Sequence, residues 1–352
     1  MDLDLCPVAL GQHGRASIDF LASFTKTMGG KVEPMVKADI AKAGITEDNL
    51  ADDLDARLAQ METALADSDA FHLKNLAMEW SSVNHGLTAL AAFEEIRPEI
   101  EPVLKALQTG PATIETFPHF TPPDYLDGVW IHRTHGGWDG HEYQGFIHGE
   151  MIHKRYLWAM YPSPFDARRA VLDLLPRKDY RRIFEMGVSS GYHTLCLADA
   201  FPEAEISGCD VSRPMLEQAQ RHANRRNLPW KLYVGRGEDT RLPAGSFDLV
   251  SSFILLHELP ADMNRAFFAE AYRLLEPGGN VIMTDVPPYK AQDKMTTWKF
   301  DRGGIRGGEP YWREAGLVDT VEIAKEIGFV NVSAARLPGG GNYWVTIAQK
   351  PL

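Results

Sequence analysis

Two periodicities divide the chain. Up to about residue 110, apolar residues recur at helical intervals: Ile18, Leu21, Ala22 and Phe24 within Ala16 to Met28, an Ala-, Leu- and Asp-rich run from Asp48 to Leu65, then Leu73, Leu76, Ala77, Trp80, Val83, Leu87, Leu90 and Phe93 within Phe71 to Leu107. Pro98 and Pro102 fall in the last run and predict a break or restart there. Beyond residue 180, short apolar runs alternate with helical stretches. The segments 182–187, 205–210, 231–235, 247–254, 280–286, 330–336 and 343–349 read as strands, and 191–200, 213–226, 262–275 and 318–327 as helices. Such alternation builds a parallel sheet covered on both faces. The last two strands are joined by Pro338-Gly339-Gly340-Gly341-Asn342, a turn and not a helix, so they predict an antiparallel hairpin. Ser163-Pro164 opens a further helix through Leu175, with Ser163 as N-cap.

Between these halves, from Thr113 to Tyr161, prolines and glycines punctuate a stretch rich in aromatic residues, among them Trp130, Trp138, Tyr143, Tyr156 and Trp158. It also holds His119, His132, His135, His141, His148 and His153, half of the 12 histidines of the chain. Disordered linkers are poor in aromatics, so this is an ordered connection, expected to lie over the site. The organisation is therefore a mostly helical domain over 1–112 that caps the site or dimerises, a connecting segment over 113–162, and an α/β domain over 163–352. A glycine- and aromatic-rich insertion at about 290–313 suits a lid.

Composition narrows the function. At 352 residues, 44% hydrophobic and 24% charged, the chain affords a core of ordinary size. A net charge of -12 without a basic face argues against nucleic acid as a partner. Cys6, Cys196 and Cys209 are too few for a disulfide framework. Leu3 to Leu10 lacks the marks of a signal peptide and no apolar run reaches membrane-spanning length, so the expectation is a cytoplasmic protein that does not engage a membrane.

The stretch Arg182 to Tyr192 carries the chemistry. An apolar strand enters Gly187-Val188-Ser189-Ser190-Gly191 and a helix leaves it, a junction where glycines admit a ligand to the backbone and a helix start offers free N–H groups. Nineteen residues past Gly191, the next strand ends in Asp210, the position from which nucleotide folds grip ribose hydroxyls.

These residues, followed by Gly208-Cys209-Asp210-Val211-Ser212 with Met215-Leu216, Leu242-Pro243 with Ser246-Phe247-Asp248, and Leu274-Leu275-Glu276-Pro277-Gly278-Gly279, resemble the successive motifs of class I S-adenosylmethionine-dependent methyltransferases. The resemblance implies a seven-stranded Rossmann-like sheet ending in the antiparallel hairpin, with the helical extension in front. It implies S-adenosyl-L-methionine as cofactor, with Gly187, Ser189 and Gly191 against its methionyl and ribose parts, Asp210 on the ribose and Glu185 orienting the methionyl ammonium. Val211, Met215, Phe253 and Tyr156 are expected beside it. Arg236 stands where relatives place an aspartate for adenine, which leaves Gly237 with Glu238 or Asp239, or backbone groups alone, for that role.

Acid and base candidates follow from strand ends and from the histidine-rich segment. His257 and Glu258 lie past the fourth strand, where the resemblance implies that a histidine can instead line the cofactor or hold the loop, and His141, His148 and Tyr143 come from the segment. Trp138, Asp285, Tyr289 and Trp298 are expected to line the acceptor site. The histidine spacings match no closed zinc motif, and no metal is assigned. The leading expectation is methyl transfer to a small, partly apolar or aromatic acceptor, most simply at oxygen. Transfer to S, N or C, a non-methylating reaction that uses the histidines, and a non-catalytic scaffold are the alternatives, and a homodimer through the N-terminal helices is the expected assembly.

Overall fold

A computed structural model of the chain describes residues 9–157, 163–339 and 341–352; Cys6, Trp158 and Gly340 lie outside the described residues. The strands are β1 (Thr113–Thr116), β2 (Arg182–Met186), β3 (Glu205–Asp210), β4 (Lys231–Val234), β5 (Phe247–Phe253), β6 (Leu275–Asp285), β7 (Val330–Arg336) and β8 (Trp344–Gln349). They form one sheet in the order β1-β4-β3-β2-β5-β6-β8-β7. Its strands pair in parallel, except that β8 runs antiparallel to both β6 and β7. All seven expected strands are present.

The sheet has eight strands, not seven. The addition is β1, which pairs in parallel with β4 from Thr113↔Lys231 to Thr116↔Val234. Its sequence, Thr-Ile-Glu-Thr, is short and mostly exposed, without the apolar alternation that marks a half-buried strand. Only the free edge of β4 makes it a strand.

Helices cover both faces. On one, α6 (Pro164–Asp173), α7 (Tyr192–Ala200) and α8 (Arg213–Arg225) bury Val171, Leu195, Leu216 and Ala219 against the sheet. On the other, α9 (Ala261–Leu274) and α12 (Thr320–Ile327) bury Phe267, Phe268, Ala271 and Ala324. Ser163 caps α6 as expected, its Oγ accepting from Phe165 N at 3.2 Å.

The N-terminal part is helical: α1 (Gln12–Thr27), α2 (Glu33–Lys42), α3 (Leu54–Ala64) and α4 (Asp69–Ala106). α4 does not break at its prolines. Pro98 and Pro102 face solvent, while Phe93, Ile96, Ile100 and Leu104 are buried on the opposite side. Burying four such side chains at ~1.5–3 kcal/mol each outweighs a cost of ~3 kcal/mol per interior proline.

The connecting segment is a series of short turns ending in Gln144–Phe146 (α5) and an 11-residue π-helix, Ile147–Leu157, packed between α4 and the sheet domain. The 290–313 insertion is an ordered strut, α10 (Lys294–Gly307), followed by α11 (Trp312–Leu317). Arg302 bonds Glu62 at 2.9 Å and Arg306 bonds Glu79 at 2.8 Å, which fastens α10 to α3 and α4. Among the described residues no helix is long and apolar enough to cross a membrane.

Candidate active site

Backbone geometry makes one wall of the site. Gly187 and Gly191 have φ of +75° and +86°, a region that favours glycine. At Gly191 a Cβ would stand 2.9 Å from Ala219 Cα, so α7 and α8 approach closely only because no side chain is there. Ser189 also has a positive φ of +49°. That strain is held by its amide, which donates to Asp210 Oδ2 at 2.8 Å.

Asp210 therefore has two duties. Its other oxygen accepts from Ser212 N at 2.9 Å, yet each carboxylate oxygen keeps a lone pair for a ligand, and the side chain lines a cavity at the carboxyl edge of the sheet. Burial raises its pKa to about 6, with the two backbone N–H groups pulling the other way. Gly187, Ser189, Val211, Met215, Gly237 and Phe253 share this cavity.

Not every expected cofactor residue reaches it. Glu185 lies beneath the loop, where its Oε2 accepts from the Thr194 hydroxyl at 2.6 Å; burial raises its pKa to about 8, so it holds a proton at neutral pH. Gly191 caps α7 behind the loop. Glu238 is next to the cavity residue Gly237: its Oε1 accepts from Arg236 at 2.7 Å and from the Tyr125 hydroxyl at 3.3 Å, while its buried Oε2 has no partner among the described residues. Asp239 pairs with Arg241 at the surface. Tyr156 is remote, bonding Thr25 at 3.1 Å and stacking on His85 in the N-terminal layer.

The cover wall is built of side chains. Tyr125, His132, Trp138, His148 and His153 face the cavity from the connecting segment, and Arg168 enters from α6 with its guanidinium 4.6 Å above the Phe253 ring. Trp138 stands edge-on to both His132 and His148, at 5.8 and 4.9 Å, and its carbonyl accepts from Ser212 Oγ at 2.9 Å, which ties the cover to the first turn of α8.

The histidines divide by charge. His148 and His153 are 4.4 Å apart, ring to ring. Burial holds the pKa of His148 well below the usual range and that of His153 at about 3, so both are neutral at pH 7. The buried Nδ1 of His148 has no partner among the described residues. His132 is the opposite case. It bridges Glu309 and Glu258, the latter at 3.4 Å, and these carboxylates overcome the effect of burial and raise its pKa to about 10. This bridge joins the connecting segment, the α10–α11 junction and the loop after β5 at one wall of the cavity.

The remaining candidates are structural in their contacts. His257 Nδ1 meets Asp285 Oδ1 at 2.8 Å, and Asp285 Oδ2 accepts from Leu255 and Leu256 amides at 2.9 and 2.7 Å, so this pair shapes the loop that presents Glu258 to the cavity. Burial lowers the His257 pKa, but Asp285 prevails and raises it to about 9. Tyr289 bonds Asp301 at 2.9 Å, and Trp298 packs on Phe71 under the N-terminal helices. Tyr143 bonds Glu101 at 3.1 Å and His141 bonds Glu94 at 3.2 Å, both on the α4 side. Among the described residues no three or more His, Cys, Asp or Glu side chains gather as metal ligands.

Tyr125, His132, His153 and Arg168 face the cavity although the sequence does not assign them to the site, where His132 and His153 stand only as members of the histidine-rich segment. His153 follows His148 by five, a spacing that an α-helix places on different faces and a π-helix brings together. No motif marks Arg168.

Residues 183–279 match a family described as a methyltransferase domain. Over 121 residues the chain is 33% identical to a demethylmenaquinone methyltransferase of Thermus thermophilus, covering 34% of this chain and 54% of that protein. It is 36% identical over 114 residues to a trans-aconitate 2-methyltransferase of Deinococcus radiodurans, covering 32% and 41%. The chain thus spans about half the length of the curated relatives it matches. Among solved structures, phosphoethanolamine N-methyltransferase 2 of Haemonchus contortus in complex with S-adenosyl-L-methionine superposes with a TM-score of 0.48 at 19% identity, over 67% of this chain and 61% of that one.

Proposed function

We propose that this chain, whose residues 183–279 are a methyltransferase domain of the class I type, transfers a methyl group from S-adenosylmethionine to a hydroxyl oxygen of a small, partly aromatic acceptor. When bound, the cofactor supplies an electrophilic methyl on a sulfonium. The residues present fit it. Asp210 would accept the two ribose hydroxyls with its spare lone pairs, Gly187 and Ser189 would lie along the ribose and methionyl parts, and the unpartnered Glu238 Oε2 would take the adenine amino group. Arg168 would face the methionyl carboxylate as a half-buried cation at the same cavity.

The observation that carries the choice of oxygen is His148. A neutral imidazole with a buried, unpartnered nitrogen at the cavity wall accepts a hydrogen bond from an acceptor hydroxyl and orients its lone pair, and it takes the proton as the oxygen is methylated. Trp138 and Phe253 supply aromatic surface for the rest of the acceptor. The bridged His132 holds the cover closed against water.

Calorimetric titration with S-adenosylmethionine and with its demethylated product tests the cofactor part, and product analysis with phenolic, carboxylic, thiol and amine acceptors tests the rest. Binding of both cofactor forms with turnover on hydroxylated acceptors is expected. Turnover on amines or thiols alone refutes oxygen as the receiving atom, and binding without turnover on any acceptor favours a scaffold.

A further inference from the structure

One face of α4 is uncovered. Leu73, Leu76, Trp80, Val83 and Leu87 are all exposed, Leu76 by 65%, and they follow one another at intervals of three, four, three and four. That alternation keeps a single seam facing one neighbouring helix. α1 widens it with Phe20, 58% exposed and edge-on to Trp80 at 6.1 Å. From Met78 to Thr88 no residue of α4 is fully buried. These six side chains leave on the order of 600 Å² of apolar surface, the upper end for a monomer, and with a polar rim they approach the roughly 800 Å² per partner of a standard interface.

Charge narrows the occupant. From Trp80 to Phe93 the chain has no Asp, Glu, Lys or Arg, in a protein of net charge -12. Neighbouring charges are engaged within the chain, Lys74 with Glu33 and Glu79 with Arg306. A helix that lies on a membrane carries free Lys or Arg beside its apolar face, and here the one such residue between Leu73 and Leu87, Lys74, is engaged by Glu33.

We propose that a second copy of the chain covers this face, the two α4 helices crossing antiparallel about a twofold axis at Trp80. The seam is close to symmetric about that residue: Leu73 and Leu87 lie seven positions to either side, Leu76 and Val83 four and three. A twofold axis sets Leu73 against Leu87 of the second copy and Leu76 against Val83, the self-complementarity that an isologous contact requires. Two strongly negative copies then meet along a seam that is uncharged from Trp80 on and whose remaining charges, Lys74 and Glu79, are paired within each chain. The dimer also stiffens the helix on which His85 stacks with Tyr156 of the π-helix, and through it the cover of the cavity.

Sedimentation velocity of the full chain tests the proposal. A dimer is expected, and Leu76→Glu with Leu87→Glu is expected to raise its dissociation constant at least ~100-fold with an unchanged circular dichroism spectrum, since both residues are solvent-exposed. A Trp80→Cys chain is expected to cross-link to itself on mild oxidation where the parent does not, which reads the axis even if the glutamate variant misfolds. A monomer at every concentration overturns the proposal, as does a dimer indifferent to the glutamates or a dimer that Trp80→Cys fails to cross-link. A monomer that co-sediments with phosphatidylcholine vesicles assigns the face to lipid and overturns it too.

Discussion

The two walls of the cavity are made by different means. The sheet wall, Gly187 to Gly191 with Asp210 and Gly237, is backbone geometry: positive φ at two glycines and a serine, and one carboxylate whose position follows from the end of β3. The cover wall, Trp138, His132, His148 and His153, is side chains on irregular turns and a π-helix, held by Trp138 to Ser212 and by the His132 bridge. On the proposed function, affinity for the cofactor would rest on the first and choice of acceptor on the second. Substitutions should separate cofactor affinity from turnover along this boundary.

The largest effect is expected at Gly191→Val. A branched side chain at φ +86° with Ala219 Cα 2.9 Å from its Cβ forces α7 away from α8, and cofactor binding should be lost together with several degrees of thermal midpoint. His148→Gln should reduce kcat by ~10²–10⁴-fold and leave cofactor affinity unchanged, measured by titration beside turnover. A matching loss of affinity would mean that the walls are not separable. Asp210→Ala should weaken cofactor binding by ~1–3 kcal/mol, and in the parent chain affinity should rise with pH through about 6 as Asp210 ionises.

Smaller effects distinguish the histidines. His153, neutral in the fold down to about pH 3, costs stability as pH falls below about 6.5, where the unfolded chain takes up a proton that the fold refuses. His132 acts in reverse: its contribution is whole below about 6.5 and is lost as pH rises through about 10. His153→Gln should flatten the acid side of a thermal-melt profile and His132→Gln the alkaline side. Least of all, Tyr156→Phe should leave cofactor affinity within error, because its hydroxyl is spent on Thr25.

The sheet wall was legible in the sequence because backbone demands leave local marks: glycines where side chains do not fit, and an acid at the end of an apolar run. All seven expected strands formed for the same reason, whereas β1 needed a partner 118 residues away, Thr113 against Lys231, that no local pattern announces. The cover was legible as a region but not residue by residue. His141 and Tyr143 read like site residues and instead bond Glu94 and Glu101 on α4, while His153 reads as turned away from His148 and meets it in the cavity. Trp298 likewise serves the joint with the N-terminal helices. Aromatic and imidazole side chains suit a pocket and a core equally, and only tertiary packing decides between them.

The π-helix makes chain length, more than chemistry, the sensitive variable of the cover. Wound as an α-helix, Ile147–Leu157 would present either His148 or His153 to the cavity, never both, whatever its composition. A single-residue deletion between them would set the two histidines four apart, a spacing that keeps both on one face even of an α-helix, whereas a single insertion would set them six apart and turn one of them away from the other. On the proposed function, acceptor choice would thus change by a one-residue insertion with every side chain of the sheet wall intact.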